Sequence, residues 1–406
     1  METMNIDAVA NSISAGRVED KPAAWSAVVA LALSAFALIA SEFLPVSLLT
    51  PVAASLAVSE GRAGQAIAIS GAFALVTSLF MAPLAGRLDR KLVLLALSFM
   101  MIVSGTVVAF APNYAVFMIG RAVLGVAIGG FWSLSAATAM RLVPAHQVPR
   151  ALAILNGGNA LATVVAAPLG SFLGAVVGWR GAFFCVVPLA AAAFLWKWFA
   201  LPALPAQQPS SSGNVLRLLA RPPVALGMAA VSLFFMGQFA LFTYLRPFLE
   251  KVTGVDVSTL SIVLLFIGVA GVAGTSLIGR VLKGGLYRVL AAIPVLMAAI
   301  ALLLIRFGSS LTFTSILLGL WGLVATAAPV GWWTWLARTL PRDAEAGGGL
   351  IVAAIQLAIM LGATVGGLLF DHIGYQATFA ASAVVLLASS GLAVLAGRAG
   401  RKHERT

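Results

Sequence analysis

Charge is what this chain has least of. Asp, Glu, Lys and Arg make up only 9% of its 406 residues, while 61% are hydrophobic. A soluble globular chain carries about 25% charged residues, so this one cannot cover a water-facing surface and belongs in a bilayer. Cysteine is nearly absent: the single Cys185 excludes an internal disulfide and leaves no thiolate set for a metal cluster. The three histidines, His146, His372 and His403, fall in loops or the tail. The sequence has no H-E-x-x-H, no paired intramembrane Asp and no G-x-x-x-x-G-K-[ST] phosphate loop. Hydrolytic metal chemistry and direct ATP drive are therefore not expected, nor is any cofactor or metal. The polar opening (Asn5, Asp7, Arg17, Glu19, Asp20, Lys21) lacks the basic-then-apolar order of a cleaved leader. It is expected to stay as a cytoplasmic tail.

What fills the chain instead is apolar runs of membrane-spanning length, each needing about 20 residues. They place helices near 24–52, 62–86, 92–111, 114–141, 149–176, 180–200, 223–249, 258–281, 286–306, 309–339, 347–370 and 375–397. The fold class is an all-α membrane protein of twelve transmembrane helices in two pseudo-symmetric six-helix lobes. The net charge of +12 reads as membrane orientation rather than nucleic-acid binding. With both termini cytoplasmic, 19 of the 25 Lys and Arg residues fall on the inner side, and only Arg62, Arg180, Lys251 and Arg306 on the outer.

The Pro-, Ser- and Gln-rich stretch LPALPAQQPSSSGNVLRLLARPP reads as a linker. The expected organisation is a tail at 1–23, a lobe at 24–200, a linker at 201–222, a second lobe at 223–397 and a tail at 398–406. The halves echo each other. Gly130-Phe131-Trp132 in helix four answers Gly331-Trp332-Trp333 in helix ten, and Gly178-Trp179 after helix five answers Gly374-Tyr375 after helix eleven. A duplicated six-helix unit is the arrangement of two-lobed secondary transporters.

Polar groups within spans are functional candidates by default. Of 13 acids, only Glu42 sits well inside a predicted helix. Arg121 lies at matching depth, about 12 Å from the outer boundary at 1.5 Å per residue. The pair is either a proton-coupling unit or a static ion pair between helices. Asn156 and Asn159, one turn apart, with Gln238, Tyr244 and Gln356, offer uncharged donors and acceptors suited to a neutral polar ligand, or to interhelical hydrogen bonds. Phe131, Trp132, Phe239, Trp332 and Trp333 could stack on a flat ring or simply pack. Arg246, before Pro247, either snorkels to the interface or lines the cavity mouth. Pro168 and Gly170 permit a bend and a close approach in helix five.

Several of these pieces resemble the major facilitator superfamily, in its drug:proton antiporter branch. Arg121-Ala122-Val123-Leu124-Gly125 is similar to the helix-four arginine motif of that branch. Ala167-Pro168-Leu169-Gly170 is similar to its helix-five motif, with Ala167 where Gly is usual. Asp89-Arg90-Lys91 keeps the acid and basic pair of the gating loop after helix two but lacks the Gly between them. SEFLPVSLLTP (41–51), Gly129-Gly130-Phe131-Trp132, Phe242-Thr243-Tyr244-Leu245-Arg246-Pro247 and Pro329-Val330-Gly331-Trp332 resemble bacterial purine ribonucleoside efflux permeases. The resemblance implies proton-driven export of inosine- and guanosine-type nucleosides across the bacterial inner membrane by a monomer. Sugar or multidrug efflux on the same fold is the alternative.

Overall fold

The computed structural model describes residues 23–85, 88–205, 215–283, 285–340 and 344–403. Most of the expected tails and the middle of the linker lie outside these residues. Among them, twelve helices are long and apolar enough to cross a membrane. They are α1 (Trp25–Ser55), α2 (Glu60–Ala85), α3 (Arg90–Ala109), α4 (Tyr114–Arg141), α5 (Val148–Val176) and α6 (Gly178–Ala200). The second six are α7 (Pro222–Phe242), α8 (Val257–Leu282), α9 (Leu286–Phe307), α10 (Leu311–Thr339), α11 (Ala344–His372) and α12 (Tyr375–His403). Consecutive helices alternate in direction, so each has one end on the side of the chain termini and one on the opposite, distal side.

Proline explains where the predicted runs break. The expected helix at 223–249 ends at Phe242 and resumes as Leu245–Phe248, followed by a wide turn at Leu249–Thr253. Pro247 has no N–H for the carbonyl of Thr243, so the helix cannot run through unchanged. Within α6, a turn at Cys185 separates Gly178–Phe184 from Val186–Ala200, where Pro188 removes the donor to Phe184.

Two apolar cores form, one dominated by α1–α6 and one dominated by α7–α12. Their internal packing corresponds. Helix α5 lies along α1 as α11 lies along α7, and α4 lies along α2 as α10 lies along α8. The α5–α6 turn needs Gly178 at φ 73°, and the α11–α12 turn needs Gly374 at φ 112°, a region that favours glycine. The sequence echo is thus a repeated backbone requirement. The lobes meet where α2 packs on α11 and α5 on α8.

Candidate functional site

Helix α1 carries two prolines in its distal half, Pro45 and Pro51. Each deprives the carbonyl four residues earlier of its helical donor: Ser41 for Pro45 and Ser47 for Pro51. Two arginines supply the missing donors. Arg121 on α4, 1% exposed, donates from Nη1 to Ser41 O at 2.8 Å, from Nη2 to Glu42 O at 3.4 Å and from Nε to Ala66 O of α2 at 3.1 Å. Arg246, which follows α7, donates from Nη1 to Ser47 O and from Nε to Glu250 Oε1 at 2.7 Å. Arg246 is buried here rather than reaching the surface.

The Glu42 carboxyl is buried, 6% exposed, with the Arg121 guanidinium and the Gln356 amide of α11 as its polar neighbours. Arg121 spends its described hydrogen bonds on backbone carbonyls rather than on the Glu42 carboxylate. It acts on that carboxylate through space, while Gln356 approaches it from the other lobe. Gln356 Oε1 is itself buried without a partner. An acid held this way can change its hydrogen bonding when the lobes move, which a closed ion pair could not.

A cleft opens between the lobes, reached on α1 by Phe43, the chain neighbour of Glu42, and not by Glu42 itself. Phe43, Thr163, Gln238, Phe239, Trp321 and Thr326 are among its walls. Phe43 of α1 and Phe239 of α7 face each other, with centroids 6.0 Å apart and planes 16° from parallel, and Phe242 meets both edge-on. The Oε1 atom of Gln238 is buried there without a hydrogen-bond partner. Asn156 and Asn159 precede Thr163 by seven and four residues, so they continue its stripe of α5 toward the terminal side. Asn156 is exposed, its amide nitrogen 2.9 Å from Leu152 O. Trp333, seven residues after Thr326, continues the α10 wall in the same direction and is 45% exposed.

Other sequence candidates sit elsewhere. Trp332 is buried in the core of the second lobe, edge-on to Trp335 at 6.0 Å. Adjacent positions on a helix point about 100° apart, so only one of Trp332 and Trp333 can face the cleft. Phe131 is buried in the first lobe, edge-on to Trp132 and 5.9 Å beneath Lys197 Nζ. Lys197, counted with the inner basic residues, is itself buried and donates to Ser98 Oγ and Leu94 O. Tyr244 is buried at the distal lobe contact, stacked on Phe370 at 5.2 Å and donating to Ala363 O at 2.7 Å.

Asp89 caps α3 by accepting from Lys91 N at 2.8 Å. It also accepts from Leu204 N at 3.1 Å, and the Arg90 N–H donates to Leu204 O at 3.0 Å. These contacts dock the segment leaving α6 under its own lobe. Pro168 lies inside α5, and a Cβ on Gly170 would come within 2.5 Å of Ser47 Oγ, so that glycine sets the approach of α5 to α1. Trp321, Thr163 and Thr326 are cleft residues the sequence did not single out, while Phe43 and Phe242 entered only as members of motifs that carry the family resemblance.

Hydrogen bonds joining residues 47–65 of the first lobe to residues 244–251 and 364–371 of the second lie toward the distal end. They include Lys251 to Glu60 at 2.5 Å and Thr364 Oγ1 to Gln65 Oε1 at 3.1 Å. Twelve spans in two matched lobes, closed distally around a central cleft, have the architecture of a two-lobed secondary transporter. The family model of the Major Facilitator Superfamily matches residues 31–348, and the chain belongs to that family.

Over 383 residues it is 61% identical to a Pseudomonas aeruginosa protein named transcription regulatory protein OpdE, covering 93% of this chain and 95% of that protein. It is 43% identical over 363 residues to the purine ribonucleoside efflux pump NepI of Salmonella typhimurium, covering 89% of this chain and 91% of that one. In fold, it matches a bacterial homologue of the human lysosomal transporter Spinster, in an inward-facing and unoccupied conformation. That match has a TM-score of 0.77 at 17% identity and covers 94% of this chain and 98% of the other. A D-xylose–proton symporter matches at TM-score 0.73 and 16% identity, covering 91% and 97%.

Proposed function

We propose that this chain is a proton-coupled antiporter that exports purine ribonucleosides of the inosine and guanosine type by alternating access. The carrying observation is the interlobe cleft, which sets the unpartnered amide oxygen of Gln238 among aromatic rings, one of them (Phe43) the chain neighbour of the buried acid Glu42. Aromatic faces stack on any base, at about 1–3 kcal/mol each, and amides supply both donor and acceptor to a neutral ligand. The similarity to a named purine ribonucleoside efflux pump supports the substrate class.

In this reading the protein sits in a bacterial inner membrane as a monomer, with both termini in the cytoplasm. The distal end faces outward and is closed here. The lobes at 24–200 and 223–397 rock as rigid units about the linker at 201–222. A proton taken up by Glu42 from outside weakens its attraction to Arg121 and alters its contact with Gln356. Its release inward drives nucleoside outward. Trp321, Phe239 and Phe43 hold the base, while Gln238, Asn159 and Asn156 bond base or ribose along the exit path. Asp89, Arg90 and Lys91 hold the linker to its lobe rather than forming a gate between lobes. A relative named for an effect on transcription is compatible with export, because lowering the cytoplasmic level of an effector alters expression without contact with DNA.

The test is export of labelled inosine from inverted or reconstituted vesicles under an imposed pH gradient, with arabinose and a cationic drug as competitors. Gradient-dependent flux blocked by guanosine but not by arabinose is expected. Flux blocked by arabinose or the drug instead would establish the alternative substrate, and no flux of any of them would remove the transport reading.

A further inference from the structure

The distal seal is made in an unusual chemical way. Beside the ion pairs Arg246–Glu250 and Lys251–Glu60, two of its charged members, Arg246 and Asp371, complete backbone groups of the opposite lobe. Arg246 of the second lobe donates to Ser47 O of α1, the carbonyl that Pro51 strips of its helical partner. Asp371, at the distal end of α11, accepts the Gly61 N–H at 2.8 Å through Oδ1 and the Ser59 hydroxyl through Oδ2. Ser59 Oγ in turn accepts from Arg62 N at 3.1 Å, so Asp371 extends the cap of α2 from across the interface. The first N–H groups of a helix have no internal acceptor. The fit is tight: a Cβ on Gly61 would lie 2.3 Å from Asp371 Oδ2 and 2.4 Å from Gly367 O.

From this geometry we infer that Arg246 and Asp371 are positioning residues of the transport cycle, a distal latch whose release requires water to enter the lobe interface. When the lobes part, Ser47 O loses Arg246, and Pro51 rules out recovery within the helix. A bare carbonyl shielded from water is unfavourable, so the distal end opens only as water replaces the guanidinium. Ser47 lies five residues beyond Glu42, about 7.5 Å along the helix. Opening therefore brings water to the distal half of α1, about a turn and a half beyond the buried acid. The inference rests on alternating access but not on the identity of the substrate.

The test measures lobe separation directly. Nitroxides at Ala54 and Ile373, both exposed at the distal end, are placed in a Cys185→Ser background, and their distance distribution is read by double electron–electron resonance in nanodiscs. Arg246→Gln and Asp371→Asn are each expected to raise the long-distance to short-distance ratio roughly 10-fold, as expected for loss of a hydrogen bond to a charged group. Asp256→Asn, which alters a cap within one lobe, is expected to leave the ratio unchanged. Pro51→Ala returns a donor to Ser47 O, so adding Arg246→Gln to it should shift the ratio by about 3-fold or less. An unchanged ratio in Arg246→Gln and Asp371→Asn, an equal shift in Asp256→Asn, or an undiminished Arg246 effect beside Pro51→Ala would each overturn the latch. Because no substrate is present, a failed inosine assay with a shifted ratio would remove the proposed substrate and leave the latch standing.

Discussion

Pro45 takes the helical donor from Ser41, and Arg121 replaces it at 2.8 Å. The charge on α4 is thereby fixed beside Glu42 without being neutralised by it, since its hydrogen bonds go to carbonyls of α1 and α2. Arg121 is expected to serve stability as well as coupling. Arg121→Ala should lower unfolding stability by about 2–3 kcal/mol through the lost charged hydrogen bonds. Pro45→Ala should recover about 1 kcal/mol of that loss, because Ser41 O regains an N–H. A double-mutant cycle on thermal unfolding in detergent checks the coupling, and additive effects would contradict it.

Glu42→Gln keeps the shape of the side chain and removes its titration. Under a pH gradient, net export should fall at least about 10-fold. Exchange of external for internal nucleoside without a gradient should persist, because lobe movement does not itself require the proton. Normal gradient-driven export by this variant would show that Glu42 does not carry the proton.

Trp321 and Trp332, two of the four tryptophans of α10, should differ in their effect on binding. Trp321→Ala removes a cleft wall and should raise the half-saturating nucleoside concentration about 10-fold, the size of one base-stacking contact, in addition to a stability loss, because Trp321 is itself buried. Trp332→Ala should cost about 3–5 kcal/mol of stability, as for other buried aromatics, with little change in that concentration for the protein that folds. Equal effects of the two variants on binding would contradict the placement of the cleft.

Adjacent glycines on α5 give a third contrast. A Cβ at Gly158 would lie 2.1 Å from Ala32 O, whereas Gly157 has no heavy atom within 4 Å of that position. Gly158→Ala must push α5 off α1, and it should destabilise the protein by about 1–3 kcal/mol through overpacking. Gly157→Ala should stabilise it by up to about 1 kcal/mol through helix propensity. Unfolding midpoints of the two variants, compared with the parent, decide this.

Helix number and lobe symmetry were legible because each span must satisfy its own backbone and offer an apolar surface, which writes itself into about 20 consecutive residues. The site was half legible. Glu42 and Arg121 stood out because charge is rare in a span, and Asn159, Gln238 and Phe239 because their polarity or their rings fell at mid-span. Trp332 and Phe131 look the same as Trp321 and Phe43 in a linear chain. Only rotation about the helix axis separates a core ring from a cleft ring, and uniformly apolar helices carry little signal for that rotation.

The chain's composition by itself determined a membrane-embedded protein, its apolar runs of about 20 residues made the spans helical, and the polar linker with the echoed motifs on either side divided them into two lobes. The prolines in SEFLPVSLLTP likewise determined, from chemistry alone, that Ser41 and Ser47 would lack helical partners. What only the tertiary structure decided is who answers them: Arg121 from within the same lobe and Arg246 from the other. A missing donor is a local fact of the chain. Its replacement depends on residues 80 and 199 positions away, brought near by helix packing that no local pattern encodes.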